Sequence, residues 1–128
     1  MIIFTNGCFD VIHRGHIELL DYCKSLGFVI VGLNSDESIK RLKGQSRPLN
    51  SVSDRKRILE ALRYVDEVRI FEEDTPHNLI RQITPDIIVK GGDYSPEDVV
   101  GFDFAEVRIF ETFEEHSTTR LINRMRPD

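Results

Sequence analysis

The strongest constraint on the fold is an alternation. Short β-branched apolar runs at residues 2–5, 28–33, 68–71, 87–90 and 107–110 alternate with stretches of helical periodicity. Each run is strand-sized and apolar on both faces, as in a parallel sheet covered from both sides. Between the first two runs, from about Gly15, Ile17, Leu20 and Cys23 or Lys24 recur at helical spacing, and Gly27 follows as a stop. Ser35 or Asp36 caps a short helix reaching about Leu42. Residues 43–50 hold Gly and Pro and read as a loop. Ser53 caps a strong helix with Ile58, Leu59, Leu62 and Val65 on one face. Thr75 precedes a proline suited to the first helical position; Leu79, Ile80 and Ile83 follow, and Pro85 closes the helix. Ser117 caps a last helix to about Arg124. The pattern predicts an α/β, Rossmann-like, doubly wound sheet of about five parallel strands with helices on both faces.

A length of 128 residues predicts a single domain spanning 1–128. Hydrophobic residues at 40% and charged residues at 30% allow a core and argue against disorder. No apolar run approaches the ~20 residues that cross a bilayer. Met1 leads into Ile2, Ile3 and Phe4 without the basic region of a secretory signal. Cys8 and Cys23 make no disulfide framework and show no zinc-ligand spacing. A cytoplasmic domain, with neither membrane nor nucleic acid as partner, is the expectation. The net charge of -5 excludes a generally basic nucleic-acid coat. It also hides an asymmetry. Lys40, Arg41, Lys43, Arg47, Arg55, Lys56 and Arg57 face only Asp54 within residues 40–57. A small polyanionic ligand is one reason for such a segment. A solvated basic face is the simpler reading of Lys40, Lys56 and Arg57.

Open parallel sheets bind ligands beyond the carboxyl ends of their strands. The first strand-to-helix loop, residues 5–16, is neither a dinucleotide fingerprint nor a Walker A loop. It places His13 and His16 around Arg14-Gly15 at the mouth of a helix. Gly15 leaves room for a phosphate near the backbone, and the helix N-terminus favours an anion. One such histidine is more simply a cap or a packing group. Two, with a glycine between them, point to phosphate binding. Gly91-Gly92-Asp93 ends a strand where a base or sugar can approach the backbone, or is a simple turn. His77 and His116 read as surface residues, Cys8 as a loop residue whose backbone matters, and Cys23 as helix core. Glu72, Glu73 and Asp74 read as charge complementing a helix start.

Gly7-Cys8-Phe9-Asp10 followed by His13-Arg14-Gly15-His16, with Ser117-Thr118-Thr119 at a later helix start, resembles the cytidylyltransferase-like nucleotidyltransferases. These match that family's GxFD, HxGH and STT motifs, and the resemblance covers nearly the whole chain. Within the family, residues 4–10, 41–44, 47–50, 71–76 and 89–94 look most like the heptose 1-phosphate adenylyltransferase domain of ADP-heptose synthesis. Glycerol-3-phosphate cytidylyltransferase comes next, sharing the three motifs and residues 63–68. That type carries an arginine shortly before its STT, which residues 111–116 lack.

The resemblance implies transfer of a nucleoside monophosphate from an NTP, ATP favoured, to a small phosphorylated sugar or polyol, with pyrophosphate released. It implies His13, His16 and Lys43 in catalysis. Asn6, Gly7, Cys8, Phe9, Gly15, Gly91, Asp93, Ser117, Thr118 and Thr119 would bind the nucleotide, and Arg41 and Arg63 the substrate phosphate. A protonated imidazole would serve the phosphates best. Mg²⁺ would arrive on the nucleotide rather than in a protein cage. A homodimer and a separate kinase supplying the acceptor are further expectations. Two other classes stay open. A nucleotide-sensing module would bind without turnover and would not need both histidines. A fragment of a class I aminoacyl-tRNA synthetase shares a cousin of HxGH, but no KMSKS-like loop is present.

Overall fold

The structure is a computed structural model and describes residues 1–92 and 94–111. Five strands form one parallel sheet in the order β3-β2-β1-β4-β5. They are β1 (Ile2–Gly7), β2 (Phe28–Asn34), β3 (Glu67–Phe71), β4 (Ile87–Gly91) and β5 (Glu106–Phe110). Among the described residues four α-helices accompany them: α1 (Arg14–Leu26), α2 (Asp36–Lys43), α3 (Val52–Glu60) and α4 (His77–Ile83). The chain winds outward from β1 through β2 to β3, then crosses back to place β4 on the other side of β1. The order reverses between β1 and β4, and a crevice opens there at the strands' carboxyl ends.

Alternate side chains of each strand enter opposite layers. Ile3, Val29, Val31 and Val89 pack with Leu19, Leu20 and Cys23 of α1 and Leu59 of α3. Phe4, Ile30 and Ile88 pack with Leu79, Ile80 and Ile83 of α4. Both faces are thus covered, as the continuous apolar runs require. Gly32 lets the two central strands meet around Phe4: a Cβ there would lie 2.7 Å from Phe4 Cζ.

Four local expectations are corrected. α3 starts two residues early, because Ser51 Oγ, not Ser53, accepts the Asp54 N–H at 3.3 Å. The helix ends at Glu60, so Leu62 and Val65 pack on the core from the turn beyond it, and Ile58 is exposed. Pro76, not Thr75, occupies the cap of α4, and no side chain caps that helix. Its end is set by Thr84 in the left-handed region, φ 48°. Finally, α4 has no acidic residue in its first turn. Asp74 instead pairs with Arg41 at 3.0 Å, and the Glu72 carbonyl accepts from the same guanidinium.

Candidate active site

A cavity of about 650 Å³ opens at the β1–β4 switch point. Its floor is the loop after β1. Phe9 adopts φ 47°, a conformation L side chains rarely take, and folds its ring back over Gly7. A Cβ at Gly7 would meet that ring at 3.1 Å, so glycine is what lets the loop turn so tightly. The next residue, Asp10, is buried and anchors the cavity wall. Its carboxylate accepts the N–H groups of Leu49 and Asn50, each at 2.9 Å, and the Arg47 Nε–H at 2.9 Å. Asn50 Nδ2 donates to the Asp10 carbonyl. Burial pulls the Asp10 carboxyl upward, but these N–H donors and the Arg47 charge outweigh it and hold it below the usual carboxylate range.

Arg55 completes the frame from α3. It is 1% exposed and donates to the carbonyls of Asn50, Cys8 and Asn34 and to Asp36 Oδ1 at 2.7 Å. One guanidinium thereby ties together the β1 loop, the end of β2, the start of α2 and the 44–50 loop. Cations at positions 47 and 55, expected to help offset a polyanion, are therefore structural in large part. Their carboxylate partners lie 37 and 19 residues away in sequence. Arg47 also lines the cavity, and its Nη2 is buried without a hydrogen-bond partner.

His13 and His16 open α1 and are each other's neighbours, with ring centroids 3.9 Å apart and planes 30° apart. His13 is the helix cap: its Nδ1 accepts the Gly15 N–H at 3.0 Å. His16 reaches back, its Nδ1 accepting the His13 N–H at 3.2 Å. The pair forms a capping box made of imidazoles. Capping and ligand binding are therefore compatible here. A neutral imidazole whose Nδ1 accepts must carry its proton on Nε2. Both rings are held in the tautomer that presents an Nε2–H donor. Burial, and secondarily the His13 charge, lower the His16 pKa to about 3. Burial therefore opposes a protonated His16, and protonation would need a polyanion close by to raise its pKa again. Gly15 is buried and its N–H goes to His13, so it contributes room rather than a donor.

The remaining site candidates separate cleanly. Asn6, Gly7, Cys8, Phe9, Gly15, His13, His16, Lys43 and Gly91 all line the cavity. Arg41 does not; its guanidinium is held by Asp74 on the surface. Arg63 does not either. It is exposed, donates to Tyr64 Oη at 2.9 Å and sits 5.0 Å from the Tyr64 ring centre. A surface cation beside an aromatic ring reads in sequence like any basic helix residue. Asp93, Ser117, Thr118 and Thr119 lie outside the described residues, as does His116. Lys90 and Tyr94 line the cavity, although the sequence does not single them out as site residues. The signal available for Lys90 is its place at the carboxyl end of an otherwise apolar strand. Burial raises the Cys8 thiol above its usual value, with Lys43, Arg55 and Arg47 opposing, which disfavours a reactive thiolate here.

A parallel doubly wound sheet, with an imidazole-capped helix aimed into the switch-point crevice, defines a nucleotide-binding α/β domain. A family model described as cytidylyltransferase-like matches residues 4–124, and the chain belongs to that family of nucleotidyltransferases. It is 56% identical over 127 residues to the Bifunctional protein HldE of a Nitratiruptor species, covering 98% of this chain and 28% of that protein. It is 52% identical to the Bifunctional protein HldE of Campylobacter concisus, covering 98% and 27%. The chain thus spans little more than a quarter of these relatives' length. Among solved structures, a lipopolysaccharide core biosynthesis protein from Thermoplasma volcanium shares the fold with TM-score 0.72 and 24% identity. That match covers 88% of this chain and 96% of the other.

Proposed function

We propose that this chain is a heptose 1-phosphate adenylyltransferase domain, transferring AMP from ATP to the sugar phosphate. The observation that carries the proposal is the fixed Nε2–H tautomer of two stacked histidines at a helix N-terminus in the crevice. Relatives called bifunctional, of which this chain matches one part at above 50% identity, support the acceptor assignment. So does the resemblance at residues 41–44, 47–50 and 89–94.

In this reading an acceptor phosphate oxygen attacks the α-phosphorus in line. A new O–Pα bond forms, the bond from Pα to the bridging oxygen breaks, and pyrophosphate leaves with its electron pair. No protein nucleophile takes part; catalysis is positioning and charge stabilisation. His13 and His16 donate Nε2–H bonds to phosphoryl oxygens. Lys43, at the end of α2 on the cavity rim, adds positive charge. Asp10 and Arg55 act at one remove, by holding the walls.

Mg²⁺ would enter on the triphosphate and shield its charge. Among the described residues the carboxylate of the β1 loop, Asp10, is already committed to Arg47 and two backbone N–H groups. That commitment suits an ion carried by the nucleotide. We place the reaction in the cytoplasm and expect a homodimer. No helix among the described residues is long and apolar enough to cross a membrane.

The test is a matrix of ATP, CTP, GTP and UTP against heptose 1-phosphate and glycerol 3-phosphate, read by pyrophosphate release. ATP with heptose 1-phosphate is expected to be the best pair. A clear preference for CTP with glycerol 3-phosphate would replace this reading.

A further inference from the structure

The carboxyl end of β4 brings into the crevice a cation that the roles above leave unused. Lys90 is half-buried and lines the cavity, with Nζ 5.3 Å from the centre of the Tyr94 ring. Among the described residues, no carboxylate lies within ion-pair distance of it. The other cations around the site differ. Arg41, Arg47 and Arg55 each hold an aspartate. Lys43 is like Lys90: it lines the same cavity and has no carboxylate partner among the described residues. The two ammonium groups sense each other. Burial lowers the Lys90 pKa from its ordinary value, Cys8 opposes, and the Lys43 charge adds to the lowering. Two like charges lining one cavity from separate elements, Lys90 half-buried on β4 and Lys43 exposed at the end of α2, favour an anion between them.

The reaction supplies two anions. The triphosphate has the imidazole pair and the α1 N-terminus, which arise from β1. The acceptor brings a second phosphate that must approach this polyanion closely enough to attack. β4 is the neighbour of β1 across the switch point, so cations at its end stand beside the triphosphate site. A lysine also suits the task chemically. It is a point charge on a flexible stem and neutralises a dianion without locking the attacking oxygen in a fork. The Tyr94 ring face supports the ammonium without competing for the ligand, as a carboxylate would.

We propose that Lys90, together with Lys43, binds the acceptor's phosphate dianion at the β4 side of the crevice. The proposal rests on the nucleotidyl-transfer reading above. Lys90 would have no part in proton transfer and none in holding ATP.

The test is steady-state kinetics of Lys90→Met with ATP and heptose 1-phosphate. The variant keeps most of the stem and removes the charge. The expected result is a rise of about tenfold or more in the KM for heptose 1-phosphate, with the KM for ATP within about twofold. Lys90→Arg should recover part of the loss. A rise confined to the KM for ATP, or no change in either KM, overturns the proposal. If Lys90→Met does not fold, Tyr94→Leu carries the test with a smaller rise in the same constant, and no rise overturns it. If the wild-type protein releases no pyrophosphate from this pair, the catalytic reading fails separately. The lysines are then read by titrating inorganic phosphate, followed by NMR, in the presence of saturating α,β-methylene-ATP. Saturable binding weakened about tenfold by Lys90→Met supports the site. Equal binding in both proteins, or none in the wild type, overturns it.

Discussion

Replacing Asp10 with asparagine keeps the side chain's shape and removes its charge. In the wild type that carboxylate has no exposure and accepts from Arg47, Leu49 and Asn50. Asparagine retains one oxygen for the backbone N–H groups but presents an NH₂ where a second acceptor is required. It also leaves the Arg47 guanidinium, 9% exposed, without its counter-charge. Breaking a buried pair on one side costs about 3–5 kcal/mol. Spread over 128 residues, at about 2.1 cal/mol/K of unfolding entropy per residue, this lowers Tm by roughly 10–20 °C. Thermal unfolding followed by circular dichroism reads the shift. The double variant Asp10→Asn with Arg47→Met removes the stranded cation and should recover much of the loss. A Tm drop below about 3 °C for Asp10→Asn alone would refute the claim that this pair holds the cavity wall. A double variant no better than the single one would refute the stranded charge as the cause.

Three further outcomes follow from the same geometry. His16→Ala should lower kcat by about 10²-fold while circular dichroism shows the fold retained, as for loss of a transition-state donor; near-wild-type turnover would remove His16 from the mechanism. His16 also sets a pH dependence of stability. It accepts a proton near 6.5 when unfolded and only near 3 when folded, so stability is full above 6.5 and declines as pH falls. The decline reaches about 2 kcal/mol by pH 5, and urea unfolding of His16→Gln should show a flatter slope over that range. Lys43→Ala should chiefly raise KM, read from initial rates, because a rim cation contributes ground-state phosphate binding.

The sheet can be read from the sequence because its signal is local. Each apolar run carries its own β-branched composition, and four of the five strands fall within a residue of the expected ends, while β1 runs two residues further, through Asn6 and Gly7. Helix starts are less legible, since Ser51 and Ser53 both precede the same apolar face. The choice falls to Ser51, which allows Val52 to pack against the core. The histidine pair is legible as a motif, but its tautomer is not, because that depends on hydrogen bonds formed only when α1 begins at Arg14. The cationic stretch misleads most. Whether an arginine meets solvent, ligand or carboxylate depends on partners far off in sequence: Asp10 for Arg47, Asp36 for Arg55 and Asp74 for Arg41. Lys90 escapes notice for the converse reason. Its significance comes from β4 lying beside β1, an adjacency that the strand order creates and that no local pattern records.

On the proposed mechanism, nucleotidyl transfer is directed by two imidazoles that each present an Nε2–H donor. Its most direct test is ³¹P NMR of the wild-type chain with ATP, Mg²⁺ and heptose 1-phosphate. Pyrophosphate and ADP-heptose should form in equal amounts, and both should vanish together in the His13→Ala, His16→Ala double variant. Pyrophosphate without the sugar nucleotide, or undiminished product from the double variant, would contradict it.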